Sequence, residues 1–260
     1  MSDRDFERSE RGEAIVLRLT REAKRNAITV AILDGLEQCC DDLDAGRARA
    51  LVVTGEGGKA FCAGTDLAES ASLGAEACDA KTQRARDLLV RSHRAAWLSF
   101  AARNGRAYGG GLELALACTF RVAAPGVKLS LPEVKLAVLP SYGGTQLLPA
   151  LVGRARALDL MMTGRAVEAE EAIGFGLVDR IAAEPAGTLD AAFELLDAIL
   201  VHSQFALDRV RRAVDASGPV VTDEGLAAEA RYVTETMGSE DAREGVVAFL
   251  QKRKPEFVHR

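Results

Sequence analysis

Asn104-Gly105-Arg106-Ala107-Tyr108-Gly109-Gly110-Gly111-Leu112-Glu113-Leu114-Ala115-Leu116-Ala117-Cys118 is the stretch on which the reading of this chain turns, and its segment closes on Leu131-Pro132-Glu133. Three consecutive glycines stand directly ahead of an apolar, alanine-rich run of helical character with one acid, Glu113, in its first turn. Glycine lets the backbone approach a ligand with no Cβ in the way. The unpaired N–H groups at a helix start favour negative charge beside them. A carboxyl next to such donors can move protons. Glu133 follows a proline just past a strand-like segment and is the second candidate acid. These residues suit chemistry in which charge builds on a carbonyl oxygen while protons move nearby. Taken alone, the glycines also fit a plain tight turn, with Glu113 meeting the helix dipole and Glu133 ending a strand. The surrounding chain decides between the two.

Immediately upstream, residues 98–102 read as a strand, and Arg103 is expected to reach a sheet edge. Residues 14–19 and 49–54 are further strands, the second short and β-branched as in a buried parallel sheet. Between them Thr29 can cap a helix with apolar positions at Ile32, Leu33, Leu36 and Leu43. Strand, helix, strand in this order predicts a parallel layer with crossovers. Residues 55–67 form a glycine-rich loop whose Phe61 and Leu67 suggest a return into the core. Residues 70–85 lack strong periodicity and are expected to be a mobile segment, with a helix only from Arg86 to Trp97. Downstream, 120–124 and 128–131 read as short strands, and a turn at 140–145 starts a helix. From Leu147 onward strands almost disappear. Helices are expected at about 154–162, 169–175, 189–200, 204–216, 224–237 and 241–252, with breaks at Gly153, Gly164, Gly174, Gly176 and Gly218. The last helix ends in Lys252, Arg253 and Lys254, which complements the dipole or meets a phosphate-bearing ligand. No internal repeat is visible.

The chain has 260 residues, 48% of them hydrophobic and 27% charged, as in an ordinary globular protein. A net charge of -5 argues against a nucleic-acid surface. No apolar run approaches a membrane span, and the N-terminus has no signal-peptide core. The five cysteines show no CxxC or metal spacing, and a reducing, cytoplasmic setting fits them. His93, His202 and His259 lie in no recognisable motif, which leaves a serine nucleophile without an evident base. The three glycines lack GxGxxG spacing, so a dinucleotide site is not expected.

Five segments, in order, resemble the crotonase superfamily, and within it the enoyl-CoA hydratase/isomerase family. They are 21–27, 60–67, 104–114, 132–146 and the run Thr163-Gly164 through Val178. The resemblance covers residues 15–257. It implies an α/β fold, a spiral of ββα units with a C-terminal helical region. The expected division is a spiral core over 1–200 and a helical trimerisation or lid region over 201–260. It implies an oxyanion hole from the backbone N–H groups of Thr65 and Gly110, and Glu113 and Glu133 as the catalytic pair. It implies contacts to the acyl-CoA thioester from Ala23, Lys24, Arg25, Ala63, Asp66, Leu67, Tyr142, Phe249 and Lys252. It implies no metal and no cofactor, coenzyme A being part of the substrate. A homotrimer or a hexamer of two trimers is implied, with no nucleic-acid partner and no membrane.

On this resemblance the expected reaction is hydration of a 2-enoyl-CoA thioester, a lyase activity of the kind used in fatty acid metabolism. Water adds at C3, charge moves to the thioester oxygen, and two backbone donors stabilise that enolate by about 3–4 kcal/mol each. Close carboxyls push their titrations apart and can divide acid and base work. Glu113 is assigned to the water and Glu133 to the proton at C2, with the roles open to exchange. The presence of both acids favours a hydratase over an isomerase. Ser141 and Tyr142 stand where the family often has small residues, Ala137 replaces a common glycine, Leu147 a common arginine and Thr119 a common aspartate. Tyr142 can narrow the acyl pocket or bond a polar acyl group. It motivates the alternative of an isomerase or lyase on a cyclic or aromatic-derived acyl-CoA. A non-catalytic CoA-ester binder is the alternative of another class.

Overall fold

The structure, a computed structural model, describes residues 5–215 and 221–258, so that Gly218 and His259 lie outside the described residues. The chain opens with β1 (Phe6–Arg11) and β2 (Ala14–Leu19), then α1 (Val30–Asp44) capped by the Thr29 hydroxyl on the Ile32 N–H. Next come β3 (Ala50–Gly55), β4 (Ala60–Cys62), α2 (Leu67–Ser72) and α3 (Ala75–Arg94). The central part holds β5 (Leu98–Arg103), β6 (Arg106–Tyr108), α4 (Gly110–Ala117), β7 (Phe120–Ala123) and β8 (Lys128–Ser130). After a 3-10 turn at Glu133–Leu136 follow α5 (Gly144–Val152), α6 (Arg154–Thr163), β9 (Val167–Glu168), α7 (Ala169–Ile173) and β10 (Arg180–Ile181). The chain then runs through α8 (Thr188–Leu200), α9 (Gln204–Asp215), α10 (Asp223–Met237) and α11 (Glu240–Gln251).

Two sheets share these strands. The larger has the order β1-β2-β3-β5-β7-β10, parallel except for β1, and the smaller has the order β4-β6-β8-β9. In each of the pairs β3/β4, β5/β6 and β7/β8 the first strand joins the large sheet and the second the small one. Each pair is followed by helical structure, which makes one turn of a spiral. This repeat is structural and leaves no period in the sequence. The central strands are buried on both faces, which is why they read as unbroken apolar runs. Ile15, Leu17, Leu51, Val53 and Ala101 face the core under α1, α3 and α4. Val16, Val52, Phe100 and Val122 face Phe193 and Leu196 of α8.

Several expectations need correction. β1 was not anticipated in the charged N-terminus; it pairs antiparallel with β2 along one edge and is mostly exposed, so it has no apolar signature. Residues 75–94 form one helix rather than an irregular segment leading to a helix at Arg86. Its signal is weak because a charged residue is buried on it: Lys81 Nζ donates to Glu69 Oε2 at 2.6 Å, Ser70 Oγ at 3.2 Å and Ile28 O at 3.3 Å. Arg103 reaches no edge. β5 lies between β3 and β7, so its last side chain is enclosed, donating from Nη2 to Leu177 O at 3.4 Å. Burial, with Arg121 nearby, lowers its pKa to about 9. The two short strands β9 and β10 lie in the region where strands were expected almost to disappear, and neither was placed from sequence.

Candidate active site

The site is assembled where the β4–α2 loop meets the start of α4. Asn26, in the left-handed conformation at φ 56, donates to Glu56 O at 3.0 Å and Ala60 O at 2.8 Å and so ties the first loop to the second. Ile28 N–H donates to Gly64 O at 2.8 Å and Asp66 N–H to Ile28 O at 2.9 Å, which brackets Thr65 without using its N–H. On the other side Gly109 N–H donates to Ser130 O and Glu113 N–H to Gly109 O, both at 3.0 Å, leaving the Gly110 N–H outside these turn bonds. The close approach of the loops needs glycine. A Cβ on Gly64 would lie 3.2 Å from Gly110 N, and one on Gly111 2.3 Å from Cys62 O. Thr65 and Gly110 therefore present neighbouring N–H groups, the arrangement of an oxyanion hole.

Two carboxyls flank these donors. Glu113, in the first turn of α4, is buried, and its Oε1 accepts the N–H groups of Tyr142 and Gly144 at 2.8 Å each. Burial first, then Glu133 and a third acid, Glu229, push its pKa well up against those two bonds. Glu133 opens the 3-10 turn, and its Oε1 would stand 3.1 Å from a Cβ on Gly109. Its Oε2 is buried with no partner among the described residues. Burial pushes its pKa up to about 7. Two such acids share protons readily, one as donor and one as acceptor.

The sequence-predicted contact residues separate into groups. Ala63 and Arg25 line a cavity of about 440 Å³ together with Lys59, Arg106 and Tyr108. Arg25 also lines a second cavity with Ala23, and Lys24 lines neither. Asp66 caps α2 through the Ala68 and Glu69 N–H groups and pairs with Arg21 at 2.8 Å, so its carboxylate serves the loop; Leu67 begins that helix. Phe249 and Lys252, on and just after α11, are exposed and line neither cavity. Tyr142 is buried. Its phenol bonds Thr65 Oγ1 at 2.5 Å and its ring lies 2.7 Å from where a Gly110 Cβ would be. Of the histidines, His93 is held at about 4 by burial and Arg211.

A family model for enoyl-CoA hydratase/isomerase matches residues 10–260. The chain belongs to the enoyl-CoA hydratase/isomerase family. It is 38% identical over 235 residues to the "Probable enoyl-CoA hydratase" of Bacillus subtilis (strain 168), covering 89% of this chain and 90% of that one. Among solved structures it resembles an enoyl-CoA hydratase from Bacillus anthracis, with 32% identity, a TM-score of 0.79 and coverage of 99% and 100%. A carnitinyl-CoA hydratase from Mycobacterium avium superimposes with a TM-score of 0.86 at 28% identity over 100% of both chains. The fold of this family member is thus the crotonase-like spiral with C-terminal helices. No helix among the described residues is long and apolar enough to cross a membrane.

Three residues near the site were missed from sequence. Lys59 and Arg106 sit in a loop and on a short strand, where a lone cation is ordinarily a solvated one. Glu229 on α10 is a third acid near the site, and it is buried; it accepts Gly143 N–H at 2.8 Å and Thr145 N–H at 3.1 Å. A signal did exist: Glu229 shares helix spacing with Leu226 and Val233, so an acid stands on an apolar stripe.

Proposed function

We propose that this family member hydrates the C2=C3 bond of a 2-enoyl-CoA thioester. The observation that carries this reading is the contrast between the two site acids. Glu113 Oε1 is held by two backbone donors while Glu133 Oε2 is buried and unpartnered. The thioester oxygen docks on the Thr65 and Gly110 N–H groups, which favour the enolate over the ground state. Glu113, oriented by its two N–H partners, takes a proton from water attacking C3. Glu133, whose burial favours the protonated form, delivers a proton to C2. Atoms balance: one water adds across the bond, its proton passing to Glu113 while Glu133 supplies the proton at C2, and a return of one proton from Glu113 to Glu133, directly or through solvent, resets the pair. The cluster of Arg25, Lys59 and Arg106 around the cavity beside Ala63 supports a seat for the phosphates of coenzyme A. The chemistry calls on no metal or redox cofactor. Assembly as a homotrimer, or as a hexamer of two, is supported by Phe205, Val210 and Val214, all more than half exposed on α9.

The test is loss of the conjugated-thioester absorbance of crotonyl-CoA, alongside Glu133→Gln. Loss with wild type and not with the variant is expected. No loss with any straight-chain enoyl-CoA, together with turnover of a cyclic or aromatic-derived thioester, replaces this reading with the isomerase or lyase alternative. Binding without turnover of either class leaves a CoA-ester binding protein.

A further inference from the structure

The turn that orients Glu113 is shared with another acid, and the sharing is regular. Along Tyr142-Gly143-Gly144-Thr145 the N–H groups of Tyr142 and Gly144 point to Glu113 Oε1, at 2.8 Å each. Those of Gly143 and Thr145 point to Glu229, at 2.8 and 3.1 Å. Alternate N–H groups at the start of α5 therefore serve a carboxyl from α4 and a carboxyl from α10. Glu229 also accepts the Thr145 hydroxyl at 2.5 Å, and only 2% of it is exposed. With Gly143 at φ +100, the turn has a backbone that only glycine adopts readily, and the two carboxyls hold it from both sides.

We propose that Glu229 is a positioning residue of the active site: it sets the turn that aims the Tyr142 and Gly144 N–H groups at Glu113, and its buried negative charge keeps one proton on the Glu113–Glu133 pair. This rests on the hydratase reading. Three donors and the nearby Arg86 on α3 offset part of the cost of burying Glu229, whose pKa burial still raises. Burial raises both Glu113 and Glu133, Glu229 adds to each shift, and the remaining proton is held between the two, with Glu133 Oε2 lacking a partner among the described residues. Among the described residues, the other groups around the cluster supply no compensating cation. α5 carries no charged side chain, Tyr142 and Cys62 offer a phenol and a thiol whose pKa burial pushes up, and on α11 Glu244 pairs with Arg253 while Asp241 accepts the Val258 N–H. A hydratase needs one protonated and one ionised acid at its working pH. A third negative charge beside the pair moves the range of that form to higher pH.

The experiment is the pH dependence of kcat with the enoyl-CoA that wild type turns over, for wild type, Glu229→Gln, Glu229→Asp and Thr145→Val. Losing the charge lets Glu133 ionise more easily. The alkaline limb of Glu229→Gln is then expected about one pH unit below that of wild type, with kcat at pH 8 down about tenfold and KM within about twofold. Glu229→Asp keeps the charge and is expected to keep the limb. Thr145→Val, which removes one donor to Glu229 and alters no charge, is expected to move the limb the same way by less, and it decides the question if Glu229→Gln does not fold. A lower kcat with an unmoved limb in Glu229→Gln and Thr145→Val reduces Glu229 to a packing residue and overturns the proposal. So does a Glu229→Asp limb displaced as far as that of Glu229→Gln. Wild type inactive on every enoyl-CoA overturns the hydratase reading and this role with it, whereas an active wild type with unmoved variants overturns this role alone.

Discussion

Glu113 is buried and Glu133 half-buried, and they differ in partners as well. The first has an oxygen fixed by two N–H groups and the second has one left over. Removing either acid function removes general acid–base help, so Glu113→Gln and Glu133→Gln are each expected to lower kcat about 10²–10⁴-fold. KM should change little, because neither carboxyl lines the cavity of Arg25, Lys59 and Arg106 proposed to seat the phosphates. Steady-state kinetics on crotonyl-CoA check this, and near-wild-type rates in both variants would falsify the two-carboxylate mechanism. Tyr142 stands at the same point. Its buried ring lies against Gly110, one of the two proposed oxyanion donors. Tyr142→Ala is therefore expected to raise kcat/KM for branched or long acyl groups relative to crotonyl-CoA by about tenfold. It should also destabilise the protein by about 3–5 kcal/mol through the lost packing. An acyl-chain panel with a urea unfolding curve measures both. An unchanged chain-length preference removes Tyr142 as a specificity determinant.

Helices α2 and α3 illustrate how elements are held by a few contacts that periodicity does not announce. Lys81 is almost fully buried on α3 and reaches back to Glu69 on α2, whose carboxylate also accepts the Val30 N–H at the start of α1 at 3.2 Å. Lys81→Met leaves that carboxylate without its cation, and a loss of about 2–3 kcal/mol is expected from the shift in urea midpoint. The cost is below that of a fully buried pair because Glu69 is partly exposed. The same contact explains why residues 70–85 look irregular in sequence: Lys81 is polar at a core position and breaks the apolar stripe. Elements whose pattern is uniform were legible. The Thr29 cap, α1, β2, β3 and β5 fall at or within a residue or two of their sequence-based bounds, because alternation, caps and glycine breaks are local signals. β1 was not, since an edge strand needs only backbone partners.

Over the whole molecule, two buried acids, Glu113 and Glu229, and the half-buried Glu133 make stability depend on pH. Burial raises Glu133 from its ordinary value of 4.5 to about 7, so the folded state holds that proton more tightly than the unfolded chain. Its contribution is fully present below about 4.5 and is lost as pH rises through 7. Glu113 and Glu229 shift in the same direction. Glu133→Gln, neutral throughout, is expected to be more stable than wild type by about 1–3 kcal/mol at pH 8 and no more stable at pH 4. Urea titrations at the two pH values check this, and equal differences at both would exclude the linkage. α10 and α11 close this cluster. A Cβ on Gly245 of α11 would lie 2.5 Å from Leu136 O, so α11 packs directly on the turn that carries Glu133.

What the sequence by itself determined is whatever neighbours along the chain decide. Glycines at 109–111 make close approach possible, Thr29 caps a helix, and the spacing of Glu113 and Glu133 marks the two acids within the family's motifs. What only the tertiary structure decided depends on where distant segments return. Glu229 meets Gly143 across 86 residues, Arg103 is enclosed because β7 pairs beside β5, and the Tyr142 ring fills the space above Gly110. A side chain's burial and hydrogen bonds are set by everything packed around it, while the periodicity of its own element reports one face only. An acid on a helix therefore reads the same in sequence whether it meets water or completes an active site.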